Sequence, residues 1–296
     1  MNRPLCIHGH FYQPPREDPW LGAILPEPSA APSRHWNERI NAESYSPLAW
    51  ARRLDAEGRI LELINVYEWI SFNVGPTLLS WMENGAPDTF HRILEADRRS
   101  LARLGHGNAL AQAWHHPILP LASDRDKELE VLWALSDFRA RFNRPAEGFW
   151  LPEAAVDIPT LEVLARLGIR FTILAPRQAE AVAEIGHDTW QPVTEAELDV
   201  REPYLVELPS GRPLVVFFYH GAVSQAVAFE RLLEDGERFW QRLAQAMAER
   251  GPGLLPLATD GETYGHHFKF GEMALAYVLH HARPGREGVT LTNFPA

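Results

Sequence analysis

Four short segments gather the residue types that acid–base, metal or sugar chemistry needs. In HGHFYQPP, His8 and His10 lie two apart, so on an extended strand both imidazoles point to one face, where they could bind a metal ion or hydrogen-bond a polyol. His115 and His116 follow Trp114 at the end of a second apolar run. In GFWLPE a carboxylate, Glu153, comes directly after the aromatic-rich stretch containing Trp150. LATDGETYGHH delivers Asp260, a glycine that permits a sharp turn, and then His266 and His267. Each has a plainer reading: histidines buried and satisfied in a core, Glu153 favoured at a helix start by the helix dipole, Asp260 as a helix cap. Together, two carboxylates ringed by His and Trp are what glycoside cleavage uses, one ionised nucleophile and one proton donor. The same parts could serve a metal-dependent hydrolase.

Something must hold these segments side by side. Apolar runs at Leu5 to His8, Trp69 to Val74, Ala109 to Trp114, Gly148 to Leu151, Ile169 to Leu174, Pro213 to Tyr219 and Leu254 to Thr259 read as seven strands. Helical spacing occupies the stretches between them. From Ser123 to Phe142, residues Val131, Leu132, Leu135, Phe138 and Phe142 share a face, and Ser123 with Asp126 marks a helix start. Pro159 to Leu167 is a second helix, ended by Gly168, and Phe229 to Arg250 a third. Strand–helix alternation predicts an α/β fold with a mostly parallel sheet, closed as an incomplete barrel or open and doubly wound. In either, the polar segments fall at the C-terminal strand ends, the edge that carries active sites. The acidic stretch Gln178 to Pro203 reads as an irregular excursion.

Composition narrows the partners. The 296 residues carry 28 Lys plus Arg against 39 Asp plus Glu, a net charge of −11 without a basic run, which argues against nucleic acid. The longest apolar stretch, Leu214 to Tyr219, is far short of the roughly 20 residues a bilayer span needs. No signal-peptide core opens the chain, so a cytoplasmic, non-membrane protein is expected. No GxGxxG or Walker loop supports nucleotide binding. The lone Cys6, inside an apolar run, is expected to be buried and inert. Ten tryptophans scattered from Trp20 to Trp240 include faces that could stack on sugar rings.

The segments HGHFYQPP, GNALAQAWHHPILPL, GFWLPE and LATDGETYGHH resemble, in order, the first four of the five conserved regions of glycoside hydrolase family 57. The resemblance implies a distorted, incomplete seven-fold β/α barrel and a retaining mechanism on α-glucans, as in amylases, 4-α-glucanotransferases or branching enzymes. It also implies that Glu153 is the nucleophile and Asp260 the general acid/base. His10 and His116 would line the donor subsite, with His8 and His115 next to them, Trp150 beneath the sugar and His266 nearby. No metal or other cofactor is required. The fifth region is not visible, so the chain is expected to be a single catalytic barrel over residues 1–296, the family's C-terminal helical domain being absent or truncated.

Hydrolysis is favoured narrowly over transfer or branching. The competing enzyme class is a metal-dependent polysaccharide deacetylase with His8, His10 and Asp260 as ligands, which would be sensitive to chelators. A glucan-binding module without catalysis is a third reading, disfavoured because a pure binder gains little from holding two mutually repelling carboxylates.

Overall fold

The computed structural model describes residues 3–249 and 253–296. Nine strands form its main sheet: β1 (Arg3–Phe11), β2 (Ser71–Val74), β3 (Ala109–Gln112), β4 (Gly148–Trp150), β5 (Phe171–Leu174), β6 (Tyr204–Glu207), β7 (Pro213–Phe218), β8 (Leu255–Asp260) and β9 (Val289–Leu291). The order is β6-β7-β5-β4-β3-β2-β1-β8, with β9 paired to the first residues of β1. Every pairing is parallel except β6 on β7. Seven parallel strands, from β8 through β1 to β7, curl into a half-barrel whose ends approach where the His220 amide donates to the Pro256 carbonyl at 2.7 Å. All seven strands expected from the apolar runs are present, and the incomplete barrel replaces the open sheet as the outcome.

Helices cover the outer face. They are α1 (Pro76–Gly85), α2 (Pro87–Leu104), α3 (Asp124–Phe142), α4 (Ile158–Arg166), α5 (Gly221–Phe229), α6 (Gly236–Glu249) and α7 (Gly271–Ala282). Ser123 caps α3, its hydroxyl accepting from the Asp126 amide at 3.2 Å, and Asn143 closes the helix in the left-handed region. Val131, Phe138 and Phe142 are buried as the spacing predicts, whereas Leu132 faces solvent at 40% exposure. The single helix expected from Phe229 to Arg250 is instead broken. The chain leaves α5 at Phe229, turns through left-handed Arg231 and a short 3-10 turn, and restarts after Asp235, which accepts from the Arg238 amide. Arg250 lies outside the described residues. An antiparallel hairpin pairs Ala51–Leu54 with Ile60–Ile64, and the acidic excursion holds only a minimal pairing of Ala181–Val182 with Gln191–Pro192.

Alternation along β1 separates two apolar layers. Leu5 and Ile7 join the large core between sheet and helices, while Cys6 joins Leu110, Trp150, Phe171, Ile173, Ala258 and Phe294 inside the barrel. Cys6 is fully buried, and burial pushes its thiol upward, away from the reactive thiolate. Phe294, from the segment after β9, closes the barrel floor against Phe217 and Phe171, at ring distances of 5.0 and 6.1 Å. No helix among the described residues is long and apolar enough to cross a membrane.

Candidate active site

A cavity of about 990 Å³ opens at the C-terminal ends of the parallel strands. His10 reaches it from β1 and Tyr12 from just beyond, His116 from the loop after β3, Trp150 from β4 and Glu153 from the turn after it, and Asp260, Glu262, His266 and His267 from β8 and its loop. Side chains of the same barrel-facing parity, carried by parallel neighbours in register, must meet at this edge: His10 pairs with Asp260 on one side and Asn73 on the other.

Local backbone aims the two carboxylates. After β4 the chain makes a tight turn in which Glu153 and Ala154 adopt left-handed φ values of 55° and 52°, a conformation that costs L-residues energy and is held here by its surroundings. The Gln178 side chain clamps this turn, donating to the Ala154 carbonyl at 2.7 Å. The Glu153 side chain stands 72% exposed at the cavity, 3.6 Å from His116 Nε2. It does not start the next helix; Asp157 does that, accepting from the Thr160 amide. Asp260 likewise makes no side-chain cap bond to the turn that follows it. That turn passes close under Phe11, where a Cβ on Gly261 would lie 2.0 Å from the ring, so glycine is required.

Five aromatic rings form one stack beside these groups. His8 lies on Trp150 (4.8 Å), Trp150 on His10 (5.2 Å), His10 on His116 (5.1 Å) and His116 on Tyr12 (4.0 Å), with interplanar angles between 14° and 20°. Buried polar groups fix the ring orientations. Asn73 Oδ1 accepts from His8 Nε2 at 2.9 Å, and Asn73 Nδ2 donates to His10 Nδ1 at 2.8 Å and to Gln112 Oε1. Ser71 Oγ stands 3.0 Å from His8 Nδ1. Burial lowers both His8 and His10 to about 3, so both are neutral; with Nδ1 accepting, His10 carries its proton on Nε2.

Not every expected residue meets the cavity. His10, His116, Trp150, Glu153, Asp260 and His266 line it, but His8 and His115 do not. His8 is sealed beneath Trp150 with both nitrogens engaged, and His115 turns toward α3, where Glu130 accepts from its amide at 2.8 Å and meets its ring Nδ1 at 2.7 Å. His266 sits 2.5 Å from the Glu43 carboxylate. Spacing gave no role to Glu262 or Tyr45. Glu262 is buried two residues beyond Asp260 and accepts from the Tyr45 hydroxyl; burial, reinforced by the charge of Asp260, raises it to about 7. Tyr45 arrives on a short π-helical segment, Asn41–Tyr45, a form that recurs at functional sites.

Electrostatics distinguish the two carboxyl groups. Desolvation by the cavity walls, reinforced by the charge of Glu153 and opposed by His267, raises the Asp260 carboxyl from its ordinary value, although its side chain, like that of Glu153, stays accessible from the cavity. Among the described residues no three His, Cys, Asp or Glu side chains converge so as to hold a metal ion. His8, His10 and Asp260 do not form such a set, because Ser71 and Asn73 already occupy both nitrogens of His8.

The parallel half-barrel thus presents two carboxyl groups, Glu153 and Asp260, in a single cavity at the C-terminal strand ends. The family model of glycosyl hydrolase family 57 matches residues 31–281, and the chain belongs to that family. It is similar to alpha-amylase 1 of Dictyoglomus thermophilum, 20% identical over 185 residues that make up 59% of this chain and 26% of that protein. Its fold matches the 4-alpha-glucanotransferase of Thermococcus litoralis (TM-score 0.69, 16% identity, 100% of this chain and 40% of that one). It also matches the branching enzyme of Pyrococcus horikoshii (TM-score 0.64, 15% identity, 98% of this chain and 69% of that one). A putative polysaccharide deacetylase from Mycobacterium smegmatis shares the fold at TM-score 0.58 and 14% identity, over 99% of this chain and 87% of that one. The chain thus spans about a quarter of the curated relative it matches.

Proposed function

We propose that this chain is the catalytic barrel of an amylase-like enzyme that cleaves α-1,4-linked glucans with retention of configuration. The observation that carries the reading is that Glu153 and Asp260, delivered by the turns at the C-terminal ends of two parallel strands, open on one cavity, the Asp260 carboxyl being raised by desolvation and by the Glu153 charge. Glu153 attacks the anomeric carbon as the bond to the leaving oxygen breaks, and Asp260 gives that oxygen its proton. The glycosyl-enzyme ester is then opened by water, which loses its proton to Asp260. His10 supports the reading as a fixed donor: its Nε2–H lies on the cavity side of a ring whose other nitrogen is held by Asn73. Beside Asp260 and Glu262, whose carboxyls are raised, the cavity carries Glu27, Glu153 and Glu195 against Arg16 and Arg177, a balance without the cationic excess an anionic substrate would need and suited to a neutral polyhydroxylated one.

The test is reducing-end release from amylose and soluble starch, with and without EDTA. Release unaffected by chelator supports the two-carboxylate mechanism, and loss of activity with EDTA would return the metal-dependent reading. Glu153→Gln and Asp260→Asn should each lower turnover by at least about 10²-fold while leaving the melting transition in place, since neither side chain packs in the core. Near-normal turnover in either variant removes the role given to that residue. Products longer than the substrate, without net reducing ends, would identify a sugar hydroxyl as the acceptor and make the enzyme a transferase.

A further inference from the structure

We infer that the hairpin at residues 17–24 is a substrate arm, with the Trp20 indole as a stacking platform for a glucosyl unit outside the cavity. The inference rests on the glucan reading above and extends it to the length of chain bound. Trp20 is 92% exposed and Leu21 beside it 67%, an apolar tip on an otherwise charged surface. The tip is not a loose loop. The Asp18 carboxylate accepts from the Trp20 and Leu21 amides, both at 2.9 Å, the Asp18 backbone exchanges hydrogen bonds with Ala23 and Gly22, and Glu17 bridges Ile24. A backbone held in place fixes where the indole projects, so that a ring stacking on it orders only the side-chain torsions of Trp20.

The base of the arm is the wall of the cavity. Arg16 and Glu27, which flank the hairpin, both line the cavity and are ion-paired at 3.0 Å; Arg16 is also anchored to Asn37 and Gln13. Four residues from Arg16 to Trp20 span at most about 14 Å, so the indole stands within a few sugar lengths of the cavity rim. Charge selects the occupant: residues 16–27 carry Arg16 against Glu17, Asp18 and Glu27, which repels an anionic lipid surface and leaves a neutral sugar face as the matching ligand.

Trp20→Ala should raise KM for long amylose by about five- to tenfold, with kcat little changed, and leave the kinetics on maltotriose as they were. Trp20→Phe, which keeps an aromatic face, should recover most of the loss. Retardation in native gels containing amylose, run in the Glu153→Gln background so that the polymer is not cut, should fall in parallel. If the Glu153→Gln protein is retarded and the wild type turns amylose over, but adding Trp20→Ala changes neither, the arm has no such role and the glucan reading stands. If the Glu153→Gln protein with Trp20 intact is not retarded and the wild type does not cleave amylose, both fall together.

Discussion

A carboxyl group that keeps its proton up to about pH 7 changes how the folded chain binds protons. Glu262 is raised to about 7 chiefly by burial, against an unfolded value near the ordinary glutamate one of about 4.3. A raised folded value stabilises fully below the unfolded pKa, and the contribution is lost as pH climbs through 7. Glu262→Gln keeps an acceptor for the Tyr45 hydroxyl but has no charge to bury, so its stability relative to wild type should rise between pH 5 and pH 8 by about 3 kcal/mol, read from denaturant melts at both values. A difference that stays flat with pH would mean that Glu262 titrates as an exposed carboxylate does. His8 and His10 act in the opposite direction: lowered to about 3, they bind fewer protons folded than unfolded, and the fold should weaken as pH falls from about 6.5 toward 3. Sequence made the parity of His8 and His10 legible but not their fates. What separates them is Trp150 lying between the two rings and Asn73 bonded to both, contacts that no local spacing encodes.

Among the elements, the loop after β8 is the most constrained. Gly265, at φ 127°, lies where a Cβ would sit 2.1 Å from the Glu43 carbonyl oxygen on the π-helical segment. Gly265→Ala should therefore cost about 2 kcal/mol or more and shift His266, which contacts Glu43. Gly105→Ala, at φ 77° with open space around it, isolates the backbone penalty alone and should cost about 1 kcal/mol; thermal melts of the pair separate clash from conformation. Equal losses would show that the Glu43 backbone gives way. The seven parallel strands were readable because each is an apolar run, while β6 and β9, four and three residues long with polar positions among them, give no comparable signal. The break after Phe229 was hidden for a related reason: Phe229, Leu232 and Leu233 keep helical spacing across it, although Phe229 is 78% exposed at the cavity rim and Arg231 is left-handed.

At the scale of the molecule, the barrel is closed below by the Phe294 side chain and along one side by contacts other than a strand ladder. Phe294→Ala should cost about 3–5 kcal/mol, because it leaves Phe171, Phe217 and His8 without their covering ring while Asn293, bonded to Asn108, holds the backbone in place; equilibrium unfolding measures it, and a loss under 1 kcal/mol would show the floor refills. The ordered motifs made the barrel and its family legible from the chain alone, since they sit at strand ends that any such barrel brings together. The seam was not legible, because it depends on strand tilt and on where α5 docks. Hydrogen bonds that join the β7 and β8 sides include His220 to the Pro256 carbonyl and the Ala258 amide to Ser224 Oγ on α5. A curved sheet whose two ends meet through a loop amide and a helix hydroxyl, with no strand ladder between them among the described residues, resembles a spring clip, and the seam is where widening of the cleft is to be looked for. The amide protons of His220 and Ala258 are the latches, and their deuterium uptake, set against that of the inner strands, would clock how often the cleft widens.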